Sequence, residues 1–232
     1  MARYIEITGP VCSGKTSLII NLKNKHNKLN FFNDNIFFLL FRKNYFNNFI
    51  TNFIGKCILL LFSSLFLFKK KEIIIFFFSE IVRYEKNFFL RLRILVNSLL
   101  KFSRYNFVNN FFSKNEIIIF DEGISHTIFN LASAKQTINL DLNSYYINFR
   151  YFLKNVEVVI LTVDKEIADQ RLRGRGHWRD KIYTAKQMNY FLDQNLFIQD
   201  YMISNSNVMY KNFIVLKSNE ISYDELMKKI NF

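Results

Sequence analysis

Gly9-Pro10-Val11-Cys12-Ser13-Gly14-Lys15-Thr16 fits the spacing G-x-x-x-x-G-K-[ST] and follows the apolar run Tyr4-Ile5-Glu6-Ile7-Thr8. Glycines at those two places let a loop curl so that successive backbone N–H groups point at phosphate oxygens, at the start of a helix whose dipole also favours negative charge. In such a loop Lys15 reaches the β- and γ-phosphates of a nucleotide and the Thr16 hydroxyl ligates Mg²⁺, with Ser17 next to it in the first helical turn. A chance match in a turn is the rival reading. The chain has only 6 Gly and 1 Pro, however, and two of those glycines and the proline fall in this octapeptide.

Two further groups of residues could complete the chemistry. Asp121-Glu122-Gly123 closes the apolar run Glu116-Ile117-Ile118-Ile119-Phe120, and an acid at the end of such a strand can hold a Mg²⁺-bound water opposite Thr16. Glu122 could polarise a water or bind an acceptor hydroxyl. The bland alternative is that the acid caps the next turn. His126 could face an acceptor too, although a lone histidine is commonly held for structural reasons. The third group is Arg171-Leu172-Arg173-Gly174-Arg175-Gly176-His177-Trp178-Arg179, where four of the chain's arginines stand with two glycines and the single tryptophan. Arg171, Arg175 and Arg179 are suited to clamp the charge on a transferring phosphoryl group, and the glycines suit a lid over 171–180 that opens and closes. An exposed basic turn would explain the charge but not the glycine spacing. Gly9, Gly14, Gly123, Gly174 and Gly176 account for all the glycines but Gly55, which places this scarce residue where the three groups would meet.

These residues need a scaffold. Residues 15–28 have apolar positions Leu18, Ile19 and Leu22 and a basic end, which fits a first helix with cations at its C-terminus. Leu29 to Asp34 reads as a connection, and Asn35 to Phe41 as a buried second strand. Further strands are predicted over 116–121, 156–163 and 213–216, with helices over 128–134, 144–153, 167–172, 184–203 and 223–230. Strands alternating with helices predict a parallel sheet covered on both faces. Between them, over 45–112, no strand alternation is visible. Ile81, Tyr84, Phe88, Leu92, Leu95, Leu99 and Phe102 recur at spacings of three and four, the stripe of one long helix. Arg83, Arg91, Arg93 and Lys101 lie off that stripe, and Arg83, Arg91, Arg93 and Arg104 are candidate contacts for an anionic acceptor. The apolar run Ile58 to Phe68 is about half the length of a membrane span and reads as a buried helix, with a membrane-surface helix as the alternative.

With 232 residues, half of them hydrophobic and 28 of them Phe, the chain is long and apolar enough for one folded domain over 1–232. A net charge of +13 suits an anionic partner. Apart from Lys69-Lys70-Lys71 it is spread along the chain, which favours a basic solvated surface over a nucleic-acid stripe or an anionic membrane surface. Cys12 and Cys57 form no disulfide framework, which together with the absence of a signal peptide predicts a reducing, cytoplasmic setting.

Gly9 to Thr16, Ile118 to Gly123 and Arg171 to Arg179, in this order, resemble the P-loop kinases of the nucleoside-monophosphate-kinase-like group, which includes thymidylate and adenylate kinases. The resemblance covers about 1–28 and 116–232. It implies an α/β, three-layer P-loop NTPase fold with a mostly parallel five-stranded sheet, a helical insert over about 45–112 for the acceptor, and an arginine lid. It further implies a phosphotransferase using ATP and Mg²⁺ that acts on a small anionic nucleotide, nucleoside or sugar-type acceptor. Lys15 and the lid arginines would neutralise the transition state, Thr16 and Asp121 would place the metal, and Asp121 or Glu122 would take the acceptor hydroxyl. Thymidylate-type kinases carry an Asp-Arg-Tyr-like element where this chain has Asp121-Glu122-Gly123. The alternatives are an ATPase or GTPase that hydrolyses nucleotide to drive a partner, and a nucleic-acid or membrane-binding module with a vestigial loop.

Overall fold

The computed structural model describes residues 3–25, 30–32, 54–58, 61, 71–85, 87–111, 117–132, 141–174, 183–218 and 226. Strand β1 (Arg3–Thr8) leads through the glycine loop into helix α1 (Lys15–Lys25), and β2 (Asn30–Phe32) follows. Helices α2 (Lys71–Tyr84) and α3 (Phe88–Phe111) then precede β3 (Ile117–Asp121). A 3₁₀ turn (Ile124–His126), α4 (Thr127–Asn130) and α5 (Leu142–Leu153) lead to β4 (Glu157–Thr162). The chain continues with α6 (Lys165–Gly174), α7 (Ala185–Ser204), α8 (Ser206–Met209) and β5 (Asn212–Lys217).

The sheet runs in the order β2-β3-β1-β4-β5, and every pairing is parallel. Both of its faces are covered. On β1, Ile5 and Ile7 pack with Leu18, Ile19 and Leu22 of α1, while Tyr4 joins the larger core built from α2, α3, α5 and α7. The alternation of side chains along a strand thus separates two apolar layers, one on each side of the sheet. The order reverses at β1, so the chain leaves β1 in one direction and returns beside it from the other. A crevice at the carboxyl ends of the strands follows from that reversal. Register fixes what meets there: Ile7 stands beside Asp121 and Thr8 beside Ile160.

Several expectations change. The edge strand β2 lies in the stretch read as a connection, whereas the second strand expected over 35–41 falls outside the described residues. The single long helix expected from the apolar stripe is two helices. Glu85 Oε1 accepts from the Asn87 amide at 2.9 Å, and Asn87 Oδ1 accepts from the amides of Phe89 and Leu90 at 3.0 and 3.2 Å, an N-cap that starts α3 afresh. The expected stripe is only partly the buried face: Ile81 and Phe102 are buried, whereas Phe88 and Leu92 are 68 % and 49 % exposed. The core side of α3 begins at Leu90 and becomes nearly continuous from Leu100 to Val108. Helix 223–230 falls outside the described residues except for buried Leu226. Among the described residues no helix is long and apolar enough to cross a membrane.

Candidate functional site

The glycine loop takes the shape its spacing predicts. Gly9 and Gly14 have φ of +145° and +88°, and between them Cys12 also adopts a positive φ of 62°. A Cβ on Gly9 would lie 2.4 Å from the Leu161 carbonyl oxygen, so both backbone shape and the approach of β4 require glycine there. Lys15 is 8 % exposed, and its ammonium folds back into the loop. It donates to the carbonyls of Gly9 and Pro10 at 3.1 and 2.9 Å and stands 3.4 Å from Glu122 Oε1. Thr16 and Ser17 are exposed in the first turn of α1.

The loop is braced from both sides. Arg171, near the end of α6, donates to the Cys12 carbonyl at 3.1 Å and to Ser218 Oγ, just after β5, at 2.7 Å. Of the three lid arginines only Arg171 lies in the described residues, and it ties the outer side of the loop to the C-terminal turn; Arg175 and Arg179 lie outside them. From α7, the buried Asn195 accepts from the Val11 amide at 3.4 Å. Asn195 does not stand out in the sequence.

Opposite the loop, β3 ends in the two acids. The Glu122 amide donates to the Ile7 carbonyl at 3.1 Å, and Glu122 has a φ of 57°, a left-handed conformation uncommon for a residue with a side chain. This turn is held by a residue that sequence reading passed over as part of an apolar run. Glu6 of β1 is 1 % exposed, and its two carboxylate oxygens accept from the amides of Ile124 and Ser125 at 2.8 and 2.7 Å. Burial pushes its carboxyl up, against the pull of those two residues and of Lys101. A Cβ on Gly123 would fall 2.2 Å from the Glu6 carboxyl carbon. Gly123 is therefore glycine because Glu6 lies against it; its φ of −73° asks for no special residue.

Charge is concentrated around Glu122. Besides Lys15, the ammonium of Lys101 on α3 stands 3.8 Å from Glu122 Oε2 and His126 Nε2 stands 3.4 Å from it. Burial alone would lift the Glu122 carboxyl, but His126, Lys15 and Lys101 together hold it well below the usual carboxylate range. Asp121 moves the other way: burial and the neighbouring Glu122 raise it, against Lys15, Lys101 and Arg104. Its Oδ1 is buried without a hydrogen-bond partner, an acceptor that a metal-bound water would satisfy. With the exposed hydroxyl of Thr16, the donor set fits a Mg²⁺ ion that takes most of its ligands from phosphate and water.

His126 meets Thr8 Oγ1 through Nδ1 at 3.2 Å, is 7 % exposed and packs against Phe129, so it is both structurally held and present at the site. The arginines of the insert divide. Arg83 pairs with Glu80 at 3.8 Å within α2, whereas Arg91 donates to the backbone carbonyls of Glu85 and Val82 and so holds the α2–α3 corner. Arg93 lines the crevice, and Arg104 lies near Asp121 and Glu122, its guanidinium pushed down to about 10 by burial against their pull. Lys101, placed on the polar side of a helix by the sequence, is 7 % exposed and belongs to the site. The signal available was a lone lysine inside the run Leu99-Leu100-Lys101-Phe102, which a helix buried almost all round turns inward.

These parts enclose one cavity of about 320 Å³. The loop from Val11 to Thr16 forms one wall, Glu122 and His126 the floor, and Arg93, Ile94 and Asn97 of α3 the far side. The glycine loop and the helical insert thus open into the same space.

No family model matches the chain. Protein Ycf2 of Physcomitrium patens is 26 % identical over 240 residues, a match that covers 92 % of this chain and 9 % of that protein. The chain therefore spans less than a tenth of the length of that relative. Among solved structures, deoxyadenosine kinase from M. mycoides with bound dATP superposes with a TM-score of 0.53 at 15 % identity, covering 99 % of this chain and 100 % of that one. The structure of deoxyadenosine kinase from M. mycoides with the products dCMP and dCDP gives a TM-score of 0.52 at 18 % identity, with 98 % of each chain covered. The chain shares the fold of these two solved structures.

Proposed function

We propose that the chain is a Mg²⁺-ATP-dependent phosphotransferase whose acceptor is a small hydroxyl compound of the nucleoside, nucleotide or sugar type. The observation that carries this reading is the shared cavity: Gly14, Lys15 and Thr16 face the same space as Arg93 and Asn97 of the insert, with Glu122 between them. The fold neighbours are named as nucleoside kinases, one of them with dATP bound, which supports a nucleoside among the acceptor classes.

The transfer divides among the chain's own groups. Lys15 turns from the Gly9 and Pro10 carbonyls to the β- and γ-phosphate oxygens, exchanging backbone acceptors for charged ones. Loop amides share the phosphate charge. Thr16 and Asp121 would hold Mg²⁺, which supplies charge neutralisation on the phosphates. Glu122 accepts the acceptor's hydroxyl in a hydrogen bond. As the new acceptor O–P bond forms, the bond from the γ-phosphorus to the β–γ bridging oxygen breaks, the hydroxyl proton passes to Glu122, and ADP leaves. While Lys15 stands beside it, Glu122 is a poor proton acceptor, because the ammonium groups of Lys15 and Lys101 stabilise its charge; once Lys15 turns to the phosphates, part of that stabilisation goes and its basicity rises. Nucleotide binding and base strength are coupled in this way.

The test is transfer of labelled γ-phosphate from Mg²⁺-ATP to a panel of nucleosides, nucleoside monophosphates and sugars, beside ATP alone. Labelled product that depends on an acceptor is the expected result. Brisk ATP turnover with no acceptor present would replace the kinase by a hydrolytic switch.

A further inference from the structure

Lys101 has no part in the transfer described above, yet it is a buried cation within the site. It projects from the helical insert, is 7 % exposed, and its ammonium is 3.8 Å from Glu122 Oε2, on the oxygen that also meets His126. Burying an ammonium group is costly unless an anion compensates it. The charged groups around it are Glu6 of β1, Asp121 and Glu122 at the end of β3, and Lys15 of α1. Glu6 is committed to the amides of Ile124 and Ser125, which leaves Glu122 as the close counter-ion.

Apart from Lys101, Glu122 is met by Lys15 at one carboxylate oxygen and by the ring of His126 at the other. More than a third of its side chain is open to solvent, its backbone is in a left-handed turn, and Lys15, which contacts the other carboxylate oxygen, is the group that must turn to the phosphates. We propose that Lys101 is a positioning residue: it retains Glu122 in the acceptor crevice after Lys15 has moved, so the insert helix, and not the phosphate loop, sets where the acceptor hydroxyl is held. This rests on the phosphotransferase reading and adds to it the residue that fixes the orienting carboxylate. It also gives the insert a role besides enclosing the acceptor.

The charge on Lys101 is what does the positioning, and burial lowers its pKa to about 8, with Glu122 and, more weakly, Glu6 and Asp121 opposing that shift and Lys15 adding to it. Arginine keeps its charge well beyond that range. The experiment compares wild type, Lys101→Met and Lys101→Arg in acceptor phosphorylation, measuring kcat, the KM for ATP and the pH profile of kcat. Lys101→Met should lower kcat on the order of 10²-fold, the scale of a misplaced catalytic group, with the KM for ATP within about twofold of wild type. Lys101→Arg should restore most of kcat and move the alkaline limb, expected near pH 8 in the wild type from the burial of Lys101, to higher pH. A wild type that transfers phosphate while Lys101→Met keeps its kcat, or while Lys101→Arg leaves the alkaline limb unmoved, overturns the assignment and leaves the kinase reading intact. A wild type that transfers to no acceptor overturns both. If Lys101→Met fails to fold, the alkaline limb of Lys101→Arg decides alone.

Discussion

The two walls of the crevice are built on different principles. The proposed nucleotide wall is local and made of backbone: eight consecutive residues shape it, two glycines provide its turns, and Arg171 and Asn195 merely brace it. The proposed acceptor wall is made of side chains from β1, α3 and β3, separate stretches of the chain, and depends on buried charges that compensate one another. A backbone grip tolerates change around it; a charge cluster fails when any member is removed without its partner.

The sharpest way to break this contrast is Lys15→Ala, because Lys15 contacts both the glycine loop and Glu122. Loss of its charge should reduce phosphate transfer by roughly 10³-fold, as for other groups that stabilise transition-state charge, measured as kcat/KM with ATP and acceptor. Gly123→Ala attacks the acceptor wall alone. Its methyl group would meet the Glu6 carboxyl, 2.2 Å away, and overpacking of this kind should cost about 3 kcal/mol, read from the urea midpoint. A stability equal to wild type would mean that Glu6 does not anchor the turn.

The pH dependence of folding separates the walls further. The folded-state pKa of Lys101 is about 8, below the ordinary 10.5, so between these values the unfolded chain binds more protons and stability rises with pH. The burden of the buried charge is fully present below pH 8. Subtracting the urea stability of Lys101→Met from that of wild type should therefore give a difference that grows more favourable to wild type from pH 8 to 10; a flat difference would remove Lys101 from the buried cluster. The smallest effect belongs to the braces of the nucleotide wall. Arg171→Ala should raise the KM for ATP about tenfold, the worth of one charged hydrogen bond, with kcat little changed. A larger fall in kcat than in ATP affinity would place Arg171 against the transferring group instead.

This difference also explains what the sequence revealed. Gly9 to Thr16 is legible because neighbouring residues do the work, and Asp121 because an acid ending an apolar strand is a local signal. Strands β4 and β5 and helices α5 to α7 were found within a few residues of their ends for the same reason. Glu6 and Lys101 were not legible. Each is a charged residue within an apolar run, and what it meets is decided by the register of β1 with β3 and by the way α3 packs on the sheet. The N-cap at Asn87 was hidden too, because the three- and four-residue spacing of apolar side chains continues across the break between α2 and α3.

The contact between Gly123 and Glu6 carries a consequence for inheritance. The two positions are 117 residues apart, yet neither can drift alone: a side chain at 123 requires a shorter residue at 6, and a shorter residue at 6 releases the amides of Ile124 and Ser125. Among descendants of a common ancestor they should change as a pair. Where both are present, the turn that presents Glu122 is expected to be kept; where both have been exchanged, the carboxylate at the acceptor has been re-anchored and a change of substrate is the first thing to look for.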